Sequence, residues 1–457
     1  MGGGEISRFL GLSCAALLSA ALVVGSAIGA PQAGRTGVHE GVASCAGSTC
    51  HGRPVASGVV VRQNELITWQ DPSSAAGAHS RAFRALTSDR GRSIAAKMGI
   101  GPAQNAAVCL GCHADPAPAA ARGAKFQLSD GVGCESCHGG SGGWIASHYA
   151  VGATHADNVA RGLRPLDNPK ARAAVCLDCH YGGKGQGQFV THQMMAAGHP
   201  RVAFELDLFT SLQRHHDVDA DYVSRKSSPG GVKVWAVGQA MAVDRAASLY
   251  ADPARARAGA FPEFYFFDCH SCHRAISDDP RIRPRKEANP ARPIPVGAPP
   301  FNDENMIMLS AAARTAAPGL AARFEADSRA FHAAIAGDRA GAVRAAGQLA
   351  ATSRALADTF AARGFRRAET LDILDAVLSG ETARRYTDYA GGAQAVMAVD
   401  TLVGALAAEG QIDRAAAARI RPELDRAYAA VRDPNAFRPD EFRQVMARIA
   451  QAARAMR

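Results

Sequence analysis

Apolar positions are spread unevenly along the 457 residues. Leu10 to Ile28 form a nearly continuous apolar run behind Glu5 and Arg8. Gly29, Ala30 and Pro31 follow it. Ala27-Ile28-Gly29 has the small-x-small pattern of a processing site, so residues 1–30 read as an export signal and 31–44 as a leader. The run is also long enough to span a bilayer, and retention as a membrane anchor stays open. From 45 to about 280 the pattern is short and interrupted. Glycines crowd Gly139-Gly140-Ser141-Gly142-Gly143 and Gly182-Gly183-Lys184-Gly185, which predicts irregular loops. A helix is predicted from Ala78 to Leu86, another from Val234 to Leu249, and a third starting near Phe264. Val59 to Trp69 reads as a hairpin or extended segment. Prolines at 280, 284, 290, 293, 295, 299 and 300 make 281–300 a linker. Beyond it a helical period takes over, with helices predicted over 303–322, 324–336, 338–363, 366–378, 381–408, 412–432 and 439–456. Phe442, Val445, Met446 and Ile449 give the last of these an apolar stripe. The chain therefore reads as mainly α, with little regular sheet in 45–280 and an Ala-rich α-helical bundle in 301–457.

Composition changes this picture little. The net charge is +9, yet no nucleic-acid reading element accompanies it, and an exported chain has no such partner. Arg281, Arg283, Arg285 and Lys286 could steer an acidic partner or rest on anionic lipid, or simply belong to a solvated linker wrapping the preceding domain. No Gly-x-Gly-x-x-Gly or phosphate-loop pattern is present.

The cysteines change it decisively. Cys14 leaves with the signal. Ten remain, as Cys45/Cys50, Cys109/Cys112, Cys134/Cys137, Cys176/Cys179 and Cys269/Cys272. Each pair is followed at once by a histidine: His51, His113, His138, His180 and His273. A disulfide scaffold needs no trailing histidine. In C-x-x-C-H two thiols add to the two vinyl groups of one porphyrin, and the histidine then binds the iron. Structural zinc suits the same atoms but does not require the histidine to follow each second cysteine. The first motif, CAGSTCH, has four intervening residues; a local Cys45–Cys50 disulfide is the alternative there. Keeping the Cys-His adjacency, with Gly52 next, favours a fifth covalent haem c. Ala106 to His113 recurs as Ala173 to His180, a short internal repeat at an offset of 67 residues.

A low-spin haem needs a second axial ligand. The first choices are His79, His148, His155, His192 and His199, all inside or beside the motif segment. His39 lies in the leader and reads as solvated. His332 lies in the tail and reads as a surface or core helical residue. His215 and His216 form a polar pair, one of them a ligand or active-site candidate. His270 points away from its own motif toward a neighbour, and Met194 and Met195 fill core.

Gly131 to Gly139, Cys176 to His180 and Ala197-Gly198-His199-Pro200-Arg201 resemble the cytochrome c-554 family of multihaem c-type cytochromes, related in haem arrangement to hydroxylamine oxidoreductase and pentahaem nitrite reductase. The His79 segment looks like that family's early distal-ligand helix. The resemblance covers roughly 45–275 and implies closely paired, mostly bis-histidine haems. No motif ends in lysine, as the catalytic haem of pentahaem nitrite reductases commonly does. Five motifs exceed the tetrahaem c-554 pattern and fall short of eight.

The expected function is a periplasmic electron relay to or from a redox protein or membrane electron-transfer complex, with oligomeric state open. No catalytic residue is assigned. An oxidoreductase acting on a small nitrogen or sulfur species at one five-coordinate haem is the alternative, with His215, His216, Asp217 or Arg201 as its pocket. A structural subunit of a filament or membrane complex, docked through the tail, is the other.

Overall fold

The computed structural model describes residues 36–56, 62–201, 203–215, 217–256, 263–273, 289–295 and 298–457. Residues 1–30, read above as an export signal, residues 31–35 of the leader, His216 and Arg281 to Lys286 lie outside them.

The fold is mainly α. In the first half the helices are short: α1 (Glu65–Gln70), α2 (Ala82–Leu86), α3 (Asp89–Met98), α4 (Ala107–His113), α5 (Cys134–His138), α6 (His155–Ala160), α7 (Pro169–Leu177), α8 (His192–Ala197), α9 (Leu206–Leu212) and α10 (Ala220–Arg225). Then come the long α11 (Gly231–Ala251) and the single turn α12 (Pro253–Ala256). The tail contributes α13 (Glu304–Ala316), α14 (Pro318–Ile335), α15 (Arg339–Ala361), α16 (Arg367–Leu378), α17 (Gly380–Ala383), α18 (Tyr389–Ala408), α19 (Arg414–Ala430) and α20 (Pro439–Arg454). Among the described residues pairing is confined to isolated bridges, His39 with Arg122 and Phe267 with Phe301.

Several expectations shift. Glu65 to Gln70 is a helix rather than an extended segment, while 57–61 lie outside the described residues. The first tail helix breaks at Ala317, because Pro318 has no N–H to give and opens α14 instead. The predicted 381–408 helix is two helices, since Asp388 Oδ1 accepts the Gly391 N–H at 2.9 Å and starts α18 afresh. CHSCH lies in a pair of 3₁₀ turns, Phe264–Phe266 and Cys269–Ser271, not in a regular helix. The described part of the linker is docked rather than solvated: Arg292 is buried, with Nη2 donating to Asp388 Oδ2 at 2.9 Å and Nε ion-paired to Asp303 at 3.3 Å.

The core explains why the tail cannot be an appendage. α11 packs against α15, α13 and α18 of the tail and against α7 and α9, and α7 and α9 in turn touch α15 and α18. Trp235, Ala236, Val237, Ala240 and Ala247 on it are fully buried. Its Gly238 admits α9, because a Cβ there would stand 2.6 Å from the Leu206 Cβ. α18 is apolar and long enough to cross a membrane by length and composition, and 78% of its most apolar window is buried inside this core.

At the α9–α11 junction Glu205 accepts the N–H groups of Asp207 and Leu208 at 2.8 and 2.7 Å and the Thr401 hydroxyl at 2.9 Å. Burial, reinforced by Glu205, pushes the Asp207 carboxyl up to about 7, with Arg172 and Arg214 pulling the other way. A folded-state value above the unfolded one means that the folded chain binds the extra proton. This contribution to stability is complete below about pH 4 and is lost as pH rises through 7. Asp207→Asn should abolish the loss, worth on the order of a few kcal/mol. Urea midpoints of the helical signal between pH 4 and 8 check it.

Candidate functional site

The five motif histidines each face a second histidine ring from a distant segment. His51 stands 6.2 Å from His148, His79 is 6.0 Å from His180, and His113 is 6.2 Å from His199. His138 is 6.3 Å from His215, and His192 is 6.0 Å from His273. These are centroid separations, and they are nearly constant although interplanar angles run from 15° to 85°. They are too wide for ring-on-ring contact. Two imidazole–metal bonds of about 2 Å plus two ring radii of roughly 1 Å span the same gap. The donor set therefore fits a metal between each pair, and the adjacent cysteines fit covalent attachment of a porphyrin.

The Nδ1 atoms show how the rings are aimed. Nδ1 donates to Glu65 Oε2 from His51 at 3.0 Å, to the Ala82 carbonyl from His113 at 2.9 Å, and to the Ile145 carbonyl from His148 at 2.6 Å. It donates to the Pro200 carbonyl from His199 at 2.8 Å and to the Gln213 carbonyl from His215 at 3.0 Å. An acceptor on Nδ1 fixes the tautomer and leaves the Nε2 lone pair for a metal. Burial holds His79, His148 and His199 below the ordinary imidazole value and His180 at about 4, as neutral ligands require. His180 also lies 5.0 Å from the ring of Phe204 and 5.6 Å from that of Phe209. His51 goes the other way, raised by its hydrogen bond to Glu65. At the fifth motif Glu263 is the organiser: its Oε1 accepts the His192 N–H at 2.7 Å and the Tyr265 N–H at 3.2 Å.

Four of the five first-choice second ligands thus lie opposite a motif histidine. His155 does not take that place. It sits at the first turn of α6, where Thr154 and Asp157 form a capping box, and its Nε2 meets Asp167 Oδ1 at 3.2 Å. The ring opposite His138 belongs to His215. The Thr154-x-x-Asp157 box was readable in the sequence and marks His155 as a helix-start residue. His39 is buried rather than solvated, with Nδ1 against Asp115 Oδ2 at 2.8 Å. His332 is a core residue whose Nδ1 donates to the Ser328 carbonyl at 2.8 Å. His270 lies against Asp268 at 3.8 Å and beside the Tyr389 ring. Met194 is buried. Of the residues named for an enzyme pocket, Arg201 pairs with Glu304 and Asp217 with Arg62.

None of the ten described cysteines pairs with another in a disulfide. Among the described residues no three His, Cys, Asp or Glu side chains converge on one metal position, as a zinc cage would require. Burial raises the Cys137 thiol to about 11 and the Cys176 thiol to about 12, whereas hydrogen bonds from Cys134 and Cys179 lower Cys45 and Cys112. Thiols of different motifs meet. Cys45 and Cys134 share a hydrogen bond, and Cys137 lies within electrostatic reach of Cys176 and Cys179. Cys112 Sγ approaches the Cys179 carbonyl at 3.9 Å, and Cys179 Sγ approaches the Gly111 carbonyl at 3.7 Å. Cys112 and Cys179 are equivalent positions of the internal repeat, so the two copies meet at their second cysteines. In CAGSTCH the wider loop closes on itself: a Cβ at Gly52 would stand 2.1 Å from the Ala46 carbonyl oxygen.

Sequence reasoning missed one further element. Glu135, inside CESCH, is buried and accepts the N–H groups of Glu40 at 2.8 Å, Gly41 at 2.7 Å and Ser141 at 2.7 Å. It clips the N-terminal segment and the glycine-rich loop to the third motif. Glu135→Gln turns two acceptor oxygens into one acceptor and one donor. It should cost about 2 kcal/mol and accelerate amide exchange at residues 40, 41 and 141, as hydrogen-exchange mass spectrometry can check.

Comparison with known proteins adds one match. Residues 45–139 fit the family model described as cytochrome c554 and c-prime. The matched stretch opens on Cys45 and includes the first three motifs. Neither the curated proteins nor the solved structures give a match. The family match supports a c-type cytochrome with covalently bound haem c and a haem-based role in electron transfer.

Proposed function

We propose that the chain is an exported pentahaem electron relay with bis-histidine ligation throughout. The observation that carries this reading is the set of five histidine pairs at 6.0 to 6.3 Å, which uses every motif histidine. Cys45, Cys50, Cys109, Cys112, Cys134, Cys137, Cys176, Cys179, Cys269 and Cys272 would hold five haem c groups. Each haem, when bound, supplies one-electron iron chemistry. The protein's residues supply order and potential. The thiol contacts arrange the motifs in space as 45–51, 134–138, 176–180 and 109–113, which is not their order in the chain. The fifth motif lies beside the last of these: Tyr265 is within electrostatic reach of Cys112, and Arg201 of Cys269. Two imidazoles per iron favour lower potentials than a histidine–methionine pair. Glu65 on His51 makes that ligand more basic and lowers its centre further. The apolar run Leu10 to Ile28 supports export to the periplasm, and the partner is a redox protein or membrane electron-transfer complex.

An open coordination position, which an enzyme acting on a small nitrogen or sulfur species would need, gains no support from the ring pairs, because a second histidine stands opposite each of the five motif histidines. The purified protein should carry five haems by intact mass and show only low-spin ferric signals in electron paramagnetic resonance. His215→Ala should convert one of the five to a high-spin or ligand-binding centre, while His155→Ala should leave all five low-spin. A high-spin centre in the unaltered protein would replace the relay with the enzyme reading.

A further inference from the structure

The cysteine-free tail has no part in the relay as described above. Its first residues nevertheless reach into the region of the fifth motif. The Asp268 N–H donates to the Pro300 carbonyl at 2.9 Å, and the Asn302 N–H donates to the Phe266 carbonyl at 2.9 Å. Asn302 Nδ2 donates to the Phe267 carbonyl at 3.0 Å. The rings of Phe266 and Phe301 stack at 6.2 Å, and Tyr250 and Phe331 pack edge-on to Phe301. The backbone before Cys269 is thereby pinned to the start of α13.

That pinning places Glu304, the first residue of α13, against Arg201. Arg201 Nη2 donates to Glu304 Oε1 at 3.3 Å, and the guanidinium lies 5.3 Å from the centre of the Tyr265 ring. Arg201 comes two residues after His199, whose ring faces His113, and it is within electrostatic reach of Cys269. Glu304 is buried, and its second oxygen has no hydrogen-bond partner among the described residues. Arg292, Asp303 and Asp388 stand further along the same buried charge network. A charge in such a place is screened poorly by solvent, so it acts on its neighbours at range.

We propose that Arg201, partly buried, and Glu304, buried, one from each half of the chain, form a charge pair that sets the reduction potentials of the two centres flanking it, at His113/His199 and His192/His273. The tail is then part of the electron-transfer site rather than a docking module. Both residues are positioning residues that act through the field they create. The proposal rests on the relay reading.

The sign follows from electrostatics. Reduction adds an electron to a centre, so a nearby positive charge favours it and a negative charge opposes it. Glu304→Gln leaves Arg201 uncompensated and should shift one or two of the five midpoint potentials upward. Arg201→Gln should shift the same ones downward. Arg201→Lys, which keeps the charge, should stay near the unaltered protein, and the Glu304→Gln/Arg201→Gln double variant should return toward it. The readout is redox titration of the full-length holoprotein, followed by electron paramagnetic resonance to resolve the five signals. Haem count by intact mass comes first; fewer than five in the unaltered protein would be a failure of the relay reading instead. With five present, potentials unmoved in Glu304→Gln, or all five moved together, would overturn the proposal. Should Glu304→Gln not fold, the Arg201→Lys and Arg201→Gln pair decides alone: equal shifts in both refute it, and a shift confined to Gln supports it.

Discussion

Everything in this molecule depends on holding two imidazole rings about 6 Å apart when they come from segments roughly eighty to a hundred residues apart. Closing a loop of that length costs about 4 kcal/mol from the logarithmic term alone, and the chain closes five. Side-chain packing in the first half is confined to small clusters, because its helices are mostly a turn or two long and separated by glycine-rich loops. On the proposed relay reading, metal–ligand bonds and covalent attachment supply the rest, where the pattern of apolar residues is weakest. The first half is organised around its histidine pairs, and the second half around a conventional apolar core.

The two halves are not independent. α11 belongs to the chain of the first and to the core of the second. It packs against α7 and α9 and against the tail helices α13, α15 and α18. Phe204 connects the systems most directly: its ring lies against His180, and its carbonyl accepts the Gln394 Nε2–H at 2.7 Å from α18. One residue thus contacts both the His180 ring and the bundle.

Much of the site was legible because its chemistry imposes sequence order. A cysteine pair followed by histidine has one compelling reading when it recurs five times, and the helical tail announced itself by period. The second ligands carry no such local signature. His155 looked as good as His192 by proximity to a motif. Proximity along the chain is a poor guide here: the rings that face the motif histidines come from segments far away in sequence, and His155 faces Asp167 instead. His215 was obscured by its acidic surroundings and by His216 next to it. Glu135 was invisible for another reason. Its role depends on where Glu40 and Gly41 come to rest, and no residue near it in the chain discloses that. Pro318 and Asp388, by contrast, were readable helix signals that the broad helical period masked.

The thiol contacts bear on the order of events during the making of this protein. Cys112 and Cys179 lie close together, and desolvation suppresses the ionisation of Cys137 and Cys176, which are half-buried. An attachment apparatus needs an accessible thiol and an unfolded motif. If these residues carry porphyrin, each must receive it before its neighbour closes over it. The first half of the chain would then have no finished apo form to wait in, and delivery of cofactor, rather than collapse of the polypeptide, would be the event that times its folding.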